Sequence, residues 1–252
     1  MNILVVGAGG VGASMASIAE TRSFFDSFVL ADISRERAEQ AVAELDDPGK
    51  FSAEVVDASS VSDLVALIAK VKADIVVNAC DPRLNEPIFE ACFQSHCSYL
   101  DMAMNLSYPH PTNPYEEVGI PLGRDQLAAH ETWKERGILA LVGMGVEPGL
   151  SDIFARYAAD HLFDEVHEIG VRDGSNLSID GFDFAPTFSI WTTIEECLNP
   201  PIVWEKEKGL FTTDCFSEPE VFHFPAGIGP VECVNVEHEE VLLIPRVVDC
   251  SR

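Results

Sequence analysis

Positive charge is scarce in this chain: its 252 residues carry 16 lysines and arginines against 42 aspartates and glutamates, a formal net charge of −26. The deficit is spread along the sequence, so a polyanion would be repelled wherever it approached, and nucleic acid is excluded as a partner. Long apolar runs are missing as well. None approaches the roughly 18 residues that a membrane-spanning helix needs, so no membrane partner is expected. Met1-Asn2 leads straight into the short apolar stretch Ile3 to Val6, and the chain reads as cytoplasmic. The seven cysteines (Cys80, Cys92, Cys97, Cys197, Cys215, Cys233 and Cys250) form no C-x-x-C pair. Their odd number argues for reduced thiols over a disulfide framework, and no metal site is expected. Repeats and low-complexity segments are absent too. The acidity fits either a surface suited to high salt or an ordinary acidic enzyme, and it identifies no ligand.

What the chain does have is alternation. With 47% hydrophobic residues it is long enough for a sizeable core and reads as two lobes. Short aliphatic runs alternate with segments of helical period: Ile3 to Val6 then Gly10 to Arg22, Phe28 to Ala31 then Arg35 to Leu45, Ala53 to Val56 then Val61 to Val71, Ile75 to Val77 then Leu84 to Ser95. Tyr99-Leu100 and Ile138 to Val142 read as fifth and sixth strands, with a helix from about 124 to 136 between them. The pattern predicts an α/β fold, a Rossmann-type doubly wound parallel sheet. Pro109, Pro111, Pro114 and Pro121 make residues 105 to 123 a long loop of the kind that is often functional.

After Pro148-Gly149 the texture changes. Ser151 can cap a helix to about Leu162, and shorter alternating stretches follow at Val166 to Val171, Val221 to Phe224 and Val241 to Ile244. The expected division is therefore a dinucleotide-binding domain over 1–148 and a substrate and dimerisation α+β domain over 149–252.

The opening strand runs into Gly7-Ala8-Gly9-Gly10-Val11-Gly12, a G-x-G-x-x-G motif at a strand-to-helix turn. In that setting Gly7 permits the tight turn, Gly9 lets the backbone approach a pyrophosphate, and Gly12 lets helix pack on strand; Gly10 and Val11 open the helix whose N-terminus faces the phosphates. Asp32, 25 positions after Gly7, closes the second strand where a carboxylate can accept from a ribose diol. These residues together favour dinucleotide binding over packing alone. Asp57 either lies near the adenine or caps the next helix. Asn78, Ala79 and Cys80 end the fourth strand at the ligand edge of such a sheet, Cys80 reading as a small edge residue with no base to activate it.

The glycine motif, VVNACDPRLNEPIFEACFQSHCSYLDMA and LVGMGVEPGLSDIFARYAADHL resemble the saccharopine dehydrogenase family, and so do FSIWTTIEECLNPP and VEHEEVLLIPR further on. The most specific element is GVEPGLSD at 145 to 152. The resemblance covers nearly the whole chain and implies NAD(P)-dependent redox chemistry at a carbon bearing an amine, on a small amino acid or amino-acid conjugate. Members of the family usually continue beyond the IPR at 244–246. The second domain is thus expected to be incomplete, its apolar strand residues in VNVEHEEVLLIP covered in a homodimer.

Hydride transfer leaves the protein to hold the carbon, manage a proton on nitrogen and bind charged ends. Asp101 after the fifth strand, His238 and Glu195 are the catalytic candidates, with Glu147 and Glu196 beside them. Thr192 and Glu195 also fit a capping box, and His238 could be a solvated strand end. Asp81 and Arg83 could flank the helix opened by Pro82, and Arg172 could hold a carboxylate or pair on the surface. NAD is the expected cofactor, because Asp32 would oppose a 2'-phosphate; NADP would need Arg35 or Arg37 to reach that phosphate. The other reading is a dinucleotide-binding regulator or inactive family member without catalysis.

Overall fold

The computed structural model describes residues 1–182 and 189–252. The chain divides into two compact units, Met1–Leu106 with Gly123–Val146 and Ser107–Leu122 with Glu147–Arg252. The Pro-rich segment, expected with the first unit, groups with the second.

In the first unit, β1 (Asn2–Val6), β2 (Ser27–Asp32), β3 (Phe51–Val55), β4 (Ile75–Asn78), β5 (Ser98–Asp101) and β6 (Ala140–Leu141) form one sheet in the order β3-β2-β1-β4-β5-β6. Every pairing is parallel. The helices are α1 (Gly10–Ala19), α2 (Arg35–Ala43), α3 (Val61–Val71), α4 (Asn85–Gln94), α5 (Arg124–Ala128) and α6 (His130–Glu135). The single helix expected near 124–136 is two short ones, broken at Ala129.

The period-2 alternation of β1 explains the layering. Leu4 and Val6 join a core with Leu64, Leu67 and Ile68 of α3, while Ile3 and Val5 join a second core with Ala16 of α1 and Ala38 of α2. Hydrogen-bonding caps fix where helices begin: the Ser34 hydroxyl accepts from the Arg37 amide and the Ser60 hydroxyl from the Asp63 amide. Each of α1 to α4 follows one of the strands β1 to β4 in chain order.

In the second unit, residues 107–122 close on themselves where Tyr108 and Ile120 exchange backbone hydrogen bonds of 2.9 and 2.8 Å. Then come α7 (Leu150–His161), α8 (Ile190–Leu198), the antiparallel ribbon β7 (Ile202–Glu205) with β8 (Gly209–Thr212), a second ribbon β9 (Glu220–Phe224) with β10 (Gly229–Cys233), and α9 (Glu240–Leu243) leading into a 3-10 turn. Two strand expectations are overturned. Residues 166–171 carry no regular structure, and 241–244 is helical, because four adjacent apolar residues fit a buried turn as well as a strand. Gly149, not Ser151, precedes α7, its amide donating to Asp152; Ser189, not Thr192, caps α8. Phe188, which opens FSIWTTIEECLNPP, lies outside the described residues. Among the described residues, no helix is long and apolar enough to cross a membrane.

Candidate functional site

The four glycines after β1 fall into two kinds. Gly7 turns with φ +106°, and a Cβ there would stand 2.6 Å from the Ala79 carbonyl oxygen; a Cβ on Gly12 would run into the Gly7 carbonyl. Both are demanded by the protein's own backbone. Gly9 and Gly10 are not: neither has a positive φ, and a Cβ on either would meet no protein atom within 4 Å. The space beside them is a cradle that side chains would fill. Gly9 sits at the N-cap of α1 without a side-chain cap, and the first turn carries no acid, so the first-turn amides are not taken by an acidic side chain of their own turn. A dinucleotide pyrophosphate fits this cradle in charge and shape.

Asp32 ends β2 with little exposure, its Oδ2 accepting from the Ala8 amide and its Oδ1 from the Ser34 amide, both at 2.9 Å. Arg37 Nη1 stands 3.4 Å from Oδ1. The carboxylate is thus pinned between the glycine loop and the β2–α2 turn. Val11 is half exposed on the first turn of α1.

Asp57, Asn78, Ala79 and Cys80 each take partners within the protein. Asp57 accepts from the Ser59 amide and hydroxyl at 2.9 and 2.7 Å in a local turn, which holds its carboxyl below the usual range, while Ser60 does the capping. Asn78 faces inward: it is 2% exposed, donates to Asn85 Oδ1 at 2.6 Å and to the Tyr99 hydroxyl at 3.2 Å, and accepts from the Cys80 amide at 2.9 Å. It braces the edge from beneath. Ala79 donates to the Val6 carbonyl, and its own carbonyl backs Gly7. Cys80 Sγ donates to the Val6 carbonyl at 3.3 Å; burial first, then the charges of Asp32 and Asp81, push its thiol up to about 12, so it is no nucleophile at neutral pH.

Asp101 is enclosed by the protein's own donors. It is 1% exposed, and its carboxylate accepts from the Tyr99 hydroxyl, the Gln126 side-chain amide and the Gly143 amide at 2.8, 2.7 and 2.6 Å. Its lone pairs are taken up by three neutral donors. Burial, working against those three donors, pushes it up to about 6.

In the second unit His238 Nδ1 lies 2.5 Å from Glu240 Oε2 and 3.5 Å from Glu239 Oε2, and the Ser151 hydroxyl donates to the other Glu240 oxygen at 2.8 Å. Burial alone would lower the imidazole, but the hydrogen bond to Glu240 and the charges of Glu240, Glu239 and Glu196 outweigh it and raise it to about 9. Its charge is therefore present at neutral pH. Burial, with the Asp173 charge next, pushes Glu147 up to about 7, and burial also raises Glu196 and Glu237. Glu195 is half-buried on α8, and its backbone carbonyl takes the Asn199 amide. Arg172 pairs with Glu220, and Asp81 takes Arg83 through its amide and guanidinium. Among the described residues no group of three or more His, Cys, Asp or Glu side chains could hold a metal ion. Sequence reading missed Tyr99, Asn85 and Gln126 as buried polar partners; the only signal was a polar residue at a strand end or helix start, which caps and surfaces share.

A parallel sheet in this order, with a glycine loop at its switch point and a pinned acid after β2, defines a dinucleotide-binding Rossmann domain. Residues 3–141 match the family described as the saccharopine dehydrogenase NADP binding domain, and the chain belongs to that family. It is 32% identical over 261 residues to carboxynorspermidine synthase of Vibrio alginolyticus, an alignment covering 100% of this chain and 61% of that protein. It is 31% identical over 194 residues to carboxyaminopropylagmatine dehydrogenase of a Synechocystis species, covering 77% of this chain and 46% of that one. The chain thus spans well under two thirds of the length of these relatives. Apo saccharopine dehydrogenase (L-Glu forming) from Saccharomyces cerevisiae shares the fold, with a TM-score of 0.65 at 14% identity, over 99% of this chain and 53% of that one.

Proposed function

We propose that the chain is the cofactor-binding and substrate-binding part of an NAD(P)-dependent oxidoreductase acting on the C–N bond of a small amino acid or amino-acid conjugate. The observation that carries this reading is the division of the glycines: two are required by the fold, while Gly9 and Gly10, at the N-terminus of α1, border open space that a pyrophosphate can occupy. The nicotinamide, when bound, supplies or takes the hydride. The protein's own residues do the rest. The cradle at Gly9, Gly10 and the first turn of α1 holds the pyrophosphate, and Asp32 accepts from the ribose hydroxyls. The names of the 31–32% identical relatives speak for a carboxylated amine as substrate.

NAD is the preferred cofactor in this proposal, because Asp32 is tied at both oxygens and cannot turn from a 2'-phosphate. In the second unit, which we assign to substrate binding and homodimer formation, His238 is the proposed proton-holding group, its charge set by Glu240. Glu195, half-buried on α8, is retained as a neighbouring acid. A cytoplasmic setting suits such metabolism.

The test is absorbance at 340 nm with NAD or NADP and a panel of amines that includes lysine, saccharopine and carboxynorspermidine. An amine-dependent change is expected with at least one. Tight dinucleotide binding with no change across the panel would overturn the enzyme reading and leave a binding protein.

A further inference from the structure

The chain crosses between its two units three times, at 106/107, 122/123 and 146/147. Within the first unit, each crossing has its root within a few residues of one hydrogen-bonded cluster. The Asp101 carboxylate takes the Gly143 amide at 2.6 Å, and its backbone carbonyl takes the Met144 amide at 2.8 Å, which holds the last crossing. Gln126, donating to the same carboxylate at 2.7 Å, accepts from the Asn105 amide at 2.8 Å, and the Asn105 carbonyl accepts from the Gly123 amide at 2.8 Å; these hold the first and second. Tyr99 links the carboxylate to Asn78, and through Asn78 to Asn85, which donates to the Ala103 carbonyl at 2.8 Å.

We propose that Asp101 is a positioning residue whose buried carboxylate anchors, inside the first unit, the root of every segment by which the chain crosses to the second. A buried carboxylate is costly, and its cost is offset only by hydrogen bonds that satisfy its lone pairs. Here the donors are neutral groups from three segments, β5, α5 and the turn after β6, so the carboxyl group joins those segments through its hydrogen bonds. At its far end the network reaches Cys80 through Asn78, directly behind the glycine loop. The anchor therefore links the cofactor edge to the crossings. It rests on the proposed function only for its effect on turnover.

Hydrogen exchange at fixed pH tests the anchor without turnover. In Asp101→Asn, amides of residues 102–106, 123 and 143–146 should exchange roughly tenfold faster or more, as expected for losing hydrogen bonds to a charged acceptor, while those of β1 and α3 keep their rates. Unchanged exchange at the crossings in this folded variant would overturn the proposal. If Asp101→Asn does not fold, Gln126→Ala decides: faster exchange at 105 and 123 supports the anchor, and unchanged exchange there overturns it. Where an amine substrate is turned over, Asp101→Asn should keep dinucleotide affinity and the shape of the pH–rate profile while kcat falls. Loss of one limb of that profile would make Asp101 the proton-exchanging group instead.

Discussion

The Ala8 amide donates to the Asp32 carboxylate at 2.9 Å, which ties the glycine loop to the end of β2. Cofactor choice follows from that bond. At an effective dielectric near 20, like charges about 4 Å apart repel by roughly 4 kcal/mol before relaxation and screening, enough to exclude a 2'-phosphate from a fixed carboxylate. Asp32→Ser should weaken NAD and strengthen NADP, with Arg37, now 3.4 Å from the carboxylate, freed toward the phosphate. Titration of both cofactors checks this; tighter NADP than NAD binding by the wild-type protein would reverse the assignment.

The glycines make a paired prediction. Gly9→Val should fold, with no more than about 1–2 kcal/mol lost at the N-cap, and lose dinucleotide binding, since its Cβ enters open space. Gly12→Ala should instead destabilise by about 1–3 kcal/mol or more, because its methyl meets the Gly7 carbonyl. Calorimetry and cofactor titration on the two variants separate the effects; equal losses of stability would refute the distinction.

His238 provides a pH signature. Its folded value, about 9, lies above the reference of 6.5, so the stabilisation from the Glu240 pair is full below 6.5 and is lost as pH rises through 9. The difference corresponds to on the order of 3 kcal/mol. In Glu240→Gln the imidazole should titrate near or below neutrality and the alkaline loss of stability should shrink. An NMR titration of the ring reads the first, chemical denaturation across pH the second.

Asp101 has the opposite chemistry and the same sign. Raised from 3.8 to about 6, it contributes stability that is full below 3.8 and declines as pH rises through 6, again on the order of 3 kcal/mol. Asp101→Asn should flatten the stability of the first unit over that window. Denaturation midpoints at several pH values measure it.

Leu64 on α3 is fully buried against the sheet, and Leu64→Ala should cost about 2–5 kcal/mol without altering cofactor affinity in the folded fraction. Urea unfolding with and without dinucleotide gives both numbers.

The first unit was readable because its central strands β1 and β2 are almost wholly buried and so appear as aliphatic runs, and because period 3.6 is plain in segments such as Val61 to Val71, whose bounds match α3. Gly7, Gly12 and Asp32 were readable for the same reason: their roles depend on local backbone position. The internal partners of Asn78 and Asp101 were not readable, because a polar residue at a strand end looks the same whether it faces a ligand or a buried partner, and one partner, Gln126, stands 25 residues from Asp101. In the second unit the runs are short. Val241 to Ile244 has no alternation to separate strand from helix, and the ribbons β7–β8 and β10 pair through turns that carry weaker signals than a buried strand.

Trp133 packs against Phe89 at 4.5 Å between ring centroids, nearly inaccessible to solvent, and it is the sole tryptophan of the first unit; Trp191 and Trp204 belong to the second, Trp191 well exposed on α8. The molecule thus carries a separate optical reporter in each unit. Selective excitation of indole in a Trp191→Phe, Trp204→Phe background would follow the dinucleotide-binding unit alone, and the complementary Trp133→Phe variant the other, so that the order in which the two units melt can be read from fluorescence emission without any added label.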